Sequence, residues 1–332
     1  MKKSGKIYFY LVLTLIASSG RLIANPLDLE RRATVSAHDY QSEMVTRLEA
    51  EDWRRLSFTC RNLIRDFPDS PFTLDAHYYL GLAFFSLGDY ELANNNFSNY
   101  LKTDLSPKFF DEVIQYKFAI AQAFESGSKR HLFGREHMPR WLPAYDEAIE
   151  IYDEVIAAVP RSDLAAQSLH RKGWLLLELK EYQKSVVAFQ TLIRRFPKHP
   201  LAPESYLGIH SVYLAQCKNE FSDASRLDLS RLNLEKFKLH FPTEPRLETA
   251  KKMVLDLEET LAKELFEIGG FYRRTKKSRA AAMYYITILK RYPETKTAKK
   301  AKKRLDRLDY PPLEMPSDLE QELDRDTLVV VG

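Results

Sequence analysis

The sequence predicts an all-α protein, a superhelical solenoid of about six helix-turn-helix units. Three observations predict it. Apolar residues recur at helical spacing through residues 37–308, one pattern of small and aromatic residues returns in the same phase, and prolines stand where second helices must end. The composition agrees. A chain of 332 residues with 45% hydrophobic and 29% charged content is that of a folded protein with a substantial core.

The pattern is carried first by Gly81, Phe84, Tyr90, Ala93 and Phe97. It returns as Gly173, Leu176, Tyr182, Ser185 and Phe189, and again as Gly269, Tyr272, Ser278, Ala281 and Tyr285. These offsets are those of the tetratricopeptide repeat, a helix-turn-helix unit of roughly 34 residues. Counting back from Pro68 places Met44, Trp53, Leu56, Cys60 and Leu63 in the same phase. From Pro160 the count places Tyr145, Ala148, Tyr152 and Val155, and from Pro242 it places Leu227, Ser230, Leu234 and Phe237. Some first helices in these copies are degenerate. Small residues let two antiparallel helices approach, and the large ones fill the gap beside them. One pair cannot bury its apolar stripe alone, so successive pairs stack.

In chain order the first two units take helices near 37–50 and 54–66, then 73–87 and 90–103. The third takes 109–126 and 144–158, separated by the insertion ESGSKRHLFGREHMPRWLPA at 125–144, whose glycines and prolines break helical continuity. Helices near 163–179 and 182–195 follow, then 201–217 and 224–240 around a loosened junction at 218–223. The sixth unit spans 246–274 and 278–291, and a short basic helix covers 295–308. The insertion offers Trp141 and Phe133 either to a partner or back onto the third unit; both readings stay open.

The flanks differ in kind. Residues 1–24 are laid out as a secretory signal peptide: Lys2, Lys3 and Lys6 precede the apolar Ile7–Ser19, and small residues follow. About 13 residues fall short of the roughly 20 needed to cross a bilayer. Cleavage after Ala24 removes those lysines and Arg21, taking the formal charge from +4 to 0. Residues 25–36 form an N-terminal extension. The tail, 309–332, is expected to be disordered; from Pro311 onward it carries six acidic residues and one arginine. The two cysteines make no disulfide framework, and Cys60 lies in an apolar helical pattern as a core thiol.

No motif supplies chemistry. Eight histidines complete neither HExxH nor a zinc-ligand spacing, and GxSxG and glycine-rich phosphate loops are absent. His131 and His137 share the insertion with Glu136 without such a spacing. No cofactor, metal or catalytic residue is expected. The sharpest charge feature is at 271–310, with 14 lysines and arginines against three acidic residues. That basic face suits anionic lipid headgroups or an acidic protein surface; export argues against nucleic acid.

Three stretches resemble the BamD-like, or ComL-like, outer-membrane assembly lipoproteins. They are DWRRLSFTCRNLIRDFPDSPFTLDAHYYLGLAFFSLGDYELANNNFSNYL at 52–101, the break at 125–144, and LAKELFEIGGFYRRTKKSRAAAMYYITILKRYPETKTAKKA at 261–301. The resemblance implies a periplasmic scaffold, peripherally associated with the outer membrane, that supports insertion of β-barrel proteins. Such a scaffold binds the central barrel assembly protein through its POTRA domains and, through early repeats, receives unfolded barrel substrates. Carried onto this chain, the substrate groove is expected around Tyr40, Arg47, His77 and Phe84. The partner or membrane surface is expected around Arg273, Arg274 and Lys277, with Lys299, Lys300 and Lys303 beside it. Two departures stand out: no lipobox cysteine follows the signal, and six pairs replace the family's usual five. The alternative is a soluble periplasmic adaptor resembling the CpoB cell-division coordinators, for which residues 25–37 are short of the expected coiled segment.

Overall fold

Prolines stand two residues past most second helices in the computed structural model, which describes residues 35–103, 107–220 and 224–308. The signal peptide at 1–24, most of the extension at 25–36 and the tail at 309–332 lie outside the described residues, as does part of the junction at 218–223. The chain divides between Val113 and Ile114 into two units.

The first unit holds α1 (Ala37–Glu49), α2 (Trp53–Asp66), α3 (Phe72–Ser86) and α4 (Tyr90–Thr103). Ser36 starts α1 with a reciprocal cap: its hydroxyl accepts from the Asp39 amide at 3.2 Å, and the Asp39 carboxylate accepts from the Ser36 amide at 2.8 Å. Asp52 caps α2 by accepting from the Arg55 amide at 3.2 Å. Consecutive helices pack on one another, and α1 also touches α3. Leu56, Cys60 and Leu63, one stripe of α2, are fully buried. Gly81 answers Phe97 directly: a Cβ there would stand 2.6 Å from the ring. Ala93 and Phe97 are buried beside it. Phe109 stacks on Tyr78 at 4.1 Å, and its amide donates to the Tyr100 hydroxyl at 2.9 Å.

Helix α5 (Phe110–Glu125) crosses the division. From Ile114 the second unit continues through β1 (Lys129–His131), a 3-10 turn (Leu132–Gly134), β2 (Arg140–Pro143) and α6 (Tyr145–Ala158). Then come α7 (Asp163–Glu178), α8 (Tyr182–Arg195), α9 (Leu201–Asn219) and α10 (Ala224–His240). Last are α11 (Arg246–Arg274), α12 (Ser278–Arg291) and α13 (Lys296–Leu305). Neighbours in sequence pack from α6 to α13, and the first helices α7, α9 and α11 also touch in series. This is the repeat geometry the sequence predicts: pairs of helices that bury their stripes by stacking.

The insertion is more ordered than a loop broken by glycine and proline. Its two strands pair antiparallel, Lys129 opposite Pro143 and Arg130 opposite Leu142, with an irregularity before His131. Gly127, at φ 98°, lets the chain leave α5. Trp141 stands 67% exposed on β2, so it does not fold back over the third pair.

One turn recurs. Glu51, Gly88, Lys180 and Lys276 all take left-handed backbone, with φ of 52°, 71°, 63° and 60°, each two residues before the second helix of its pair. Only one of the four is glycine. Both cysteines are free and buried, and burial pushes the Cys60 thiol up to about 12.

Candidate interaction surfaces

The second unit's interior fixes what its surface can present. Phe189 of α8 is fully buried between Gly173 of α7 and Gly208 of α9, with Trp174 edge-on at 5.4 Å. Gly269 repeats the arrangement with Tyr285, and Ala281 is buried beside them. The glycine at 208 falls outside the phase counted back from Pro242, yet it meets the aromatic of the preceding pair.

Above this core, α8, α9 and α10 enclose a groove of about 960 Å³. Buried Tyr206 and Ile209 form its floor. Tyr206 stacks on Phe237 at 4.8 Å, and its hydroxyl lies 2.6 Å from Nδ1 of His240, which holds the floor in place. One wall is α10, which exposes Leu229, Leu232 and Leu239 by 47%, 51% and 77%. With Lys236 these residues are spaced three, four and three apart, a single stripe on a helix. Arg194, Lys198 and Lys236 stand on the rim, and no carboxylate lines the groove. Sequence reading missed this surface. Its signal is the spacing of those leucines.

Deeper in α10, His210 of α9 makes two hydrogen bonds, Nδ1 with the Ser230 hydroxyl at 2.8 Å and Nε2 with the Asn233 amide at 3.0 Å. Burial holds its imidazole down at about 4. A second recess, about 710 Å³, is lined by Glu125, Asp163, His170, Arg171, Trp174 and His199, among others. Its charges are mutually paired: Arg171 reaches Glu125 at 3.2 Å and His199 reaches Asp163 at 2.7 Å. Tyr152 donates to Glu125, and burial first, then that carboxylate, raises the phenol. Such pairing ties helices together and leaves no unopposed charge for a ligand. Among the described residues no group of three or more His, Cys, Asp or Glu could hold a metal ion, and no helix is long and apolar enough to cross a membrane.

The four residues expected to line a substrate groove sit on the adjacent first helices α1 and α3. Tyr40 donates to Asp66 at 3.1 Å, and Arg47 pairs with Glu43 at 3.3 Å. His77 is half-buried, and desolvation lowers its pKa. Phe84 is only 5% exposed and lies under the Arg61 guanidinium at 4.8 Å, so it is core packing beneath this face, not groove lining.

The six basic residues expected to meet a partner are all exposed. They form two clusters. Thr297, at the start of α13, is held by Glu259 through two hydrogen bonds of 3.1 and 2.9 Å. Arg273 lies 14 residues farther along α11, about 21 Å at helical rise. Lys299, Lys300 and Lys303 therefore belong to one patch, and Arg273, Arg274 and Lys277 to another. The second patch includes Phe271, 53% exposed, so it offers an apolar anchor among cations.

The family described as YfiO, outer membrane lipoprotein, matches residues 143–309, and a tetratricopeptide repeat matches residues 61–93. No curated protein matches the chain. Among solved structures, a tetratricopeptide repeat protein from Parabacteroides merdae is 12% identical, with 88% of this chain and 98% of that one covered at a TM-score of 0.34. A thermophilic repeat protein of Thermus thermophilus is 13% identical, with 66% and 100% covered at 0.30. YrrB, a repeat protein with an unusual peptide-binding site, is 11% identical, with 70% and 98% covered at 0.35.

Proposed function

Since the chain belongs to the YfiO family of outer membrane lipoproteins, we propose that it supports assembly of β-barrel proteins at the outer membrane from the periplasmic side. It is a tetratricopeptide-repeat scaffold that works by binding other proteins, and it performs no chemistry of its own. In this reading the end of α11 receives the POTRA domains of the central barrel assembly protein. The first helices of the first unit receive unfolded barrel substrates. The carrying observation is the extent of the family match: residues 143–309 contain the last helix pairs and the six basic residues expected to meet a partner. Phe271 amid Arg273 and Arg274 has the make-up of an interface hot spot, an apolar anchor ringed by charge.

Crosslinking in intact envelopes, followed by identification of the captured proteins, tests the reading. Recovery of a barrel assembly protein is expected, with loss of capture in Phe271→Ala combined with Arg274→Glu. Capture of cell-division or cell-wall proteins alone overturns it and favours the adaptor reading. Salt fractionation adds a second arm. If the basic patches hold the protein to the membrane, release must rise with ionic strength, because exposed charges are screened within about 10 Å at 0.1 M.

A further inference from the structure

The groove between α8 and α10 is apolar at its floor and wall, and cationic on its rim. Arg194, Lys198 and Lys236 pair with no carboxylate among the described residues. Three exposed leucines in one stripe are an incomplete surface: covering them removes apolar area from water, and a rim of one sign selects what covers it. The matching chemistry is an acidic segment with leucines a helical turn or so apart. The chain beyond Leu308 contains one, SDLEQELDRD at 317–326, with Leu319 and Leu323 set among Asp318, Glu320, Glu322 and Asp324.

We infer that the groove of α8, α9 and α10 is the docking site for this protein's own C-terminal segment, Leu319 and Leu323 entering beside Leu229, Leu232 and Leu239 while the acidic side chains meet Arg194, Lys198 and Lys236. The chain is long enough. Leu308 follows α13, which packs on α11, and α11 packs on α10. Two interhelix spacings are about 20 Å. Arg231 of α10 pairs with Glu258 and Thr297 bonds Glu259 beside it, so α13 starts level with Arg231, and Leu308 lies at most about 22 Å farther along the chain. Eleven extended residues from Leu308 to Leu319 span about 36 Å, more than the resulting diagonal of roughly 30 Å. Tethering decides the occupant. A segment of the same chain that reaches the groove binds it intramolecularly, an advantage that a free acidic peptide of the same sequence lacks.

The basic patch on α13 lies closer along the chain and attracts the same charges. It lacks the other half of the recognition. The exposed large apolar residues of the described chain stop at Phe271, so α13 itself offers lysines and no exposed large apolar side chain. Charge brings the tail to either face; only the groove also buries its leucines. A protein partner that uses this groove must displace the tail first.

The full-length protein carrying Leu232→Cys with Leu323→Cys, treated with a short bismaleimide, tests this. The native thiols are buried and do not compete. The expected product is an intramolecular link mapped between positions 232 and 323. Its yield should fall roughly tenfold when Arg194→Glu, Lys198→Glu and Lys236→Glu are added, as opposed charges become like charges. Lys236→Glu alone, at one exposed site, should lower it several-fold and guards against misfolding of the triple variant. Equal yield with and without the charge reversals overturns the inference. So does a link found only between two isotopically distinguished copies, which assigns the groove to a second chain. A stronger link to Lys300→Cys than to Leu232→Cys also overturns it, and assigns the tail to α13.

Discussion

Alanine at Gly208 should destabilise the protein, although alanine is the better helix former. Its Cβ would stand 2.6 Å from Cζ of Phe189, and one at Gly173 would stand 2.7 Å from Cε1. Carbon atoms rest at about 3.5–4.0 Å, so each site is short by about 1 Å. Retreat from one glycine drives the ring into the other, and Trp174 closes a third side. Helix propensity returns about 0.8–1.0 kcal/mol; overpacking costs about 1–3 kcal/mol. The expected net loss is about 1 kcal/mol for either alanine. The double substitution should exceed the sum by at least about 0.5 kcal/mol, because the ring has nowhere left to move. Phe189→Leu supplies the decisive background. It shortens the side chain at its contested end, so each alanine should there become neutral or stabilise by up to about 1 kcal/mol. Urea midpoints at unchanged m-value, read by far-UV circular dichroism and tryptophan fluorescence, measure all members of the cycle. Should Gly208→Ala stabilise the wild-type protein, or cost the same with leucine at 189, the close-packing account of the repeat glycines is wrong.

His210 gives the protein an acid-sensitive core. Its folded pKa of about 4 lies below the ordinary value of 6.5, so the unfolded chain takes up the proton first; stability is lost as pH falls below about 6.5 and levels off near 4. At pH 5 the loss from this group is about 2 kcal/mol relative to neutral pH, and His210→Gln should remove that part of the slope in urea titrations at pH 7 and 5. Lys180→Gly should stabilise by about 0.5–1 kcal/mol, since φ of 63° suits glycine better than lysine; an unchanged or lower midpoint would count against strain in that turn. Gly81→Leu places a whole side chain against Phe97 and should cost about 1–3 kcal/mol, visible as a lower thermal midpoint.

The helices were legible because several independent signals coincide at their ends. For α12 the count from Gly269 and Pro293 meets a serine start and an aromatic stop, and the observed Ser278–Arg291 falls between them. The hairpin at 129–143 was not legible, since strands of three and four residues are too short for alternation to register and their pairing partner lies across a 3-10 turn. Phe84 carries two expectations, packing from its repeat phase and groove lining from the family resemblance. Its burial beneath Arg61 of another helix agrees with the first.

Helix α10 marks the limit most clearly. Repeat phase assigns Leu227, Ser230, Leu234 and Phe237 to its packed side, and of these Leu227, Ser230 and Phe237 are buried. The same helix carries Leu229, Leu232 and Leu239, so leucine occurs on nearly every side. Composition alone then gives no direction, and a helix with leucines on opposite sides ordinarily has cover on more than one face. Here α9 and α11 supply the first cover. The second face is left to a groove whose rim is positive, and that charge is what turns an excess of leucine into a statement about which segment can sit there.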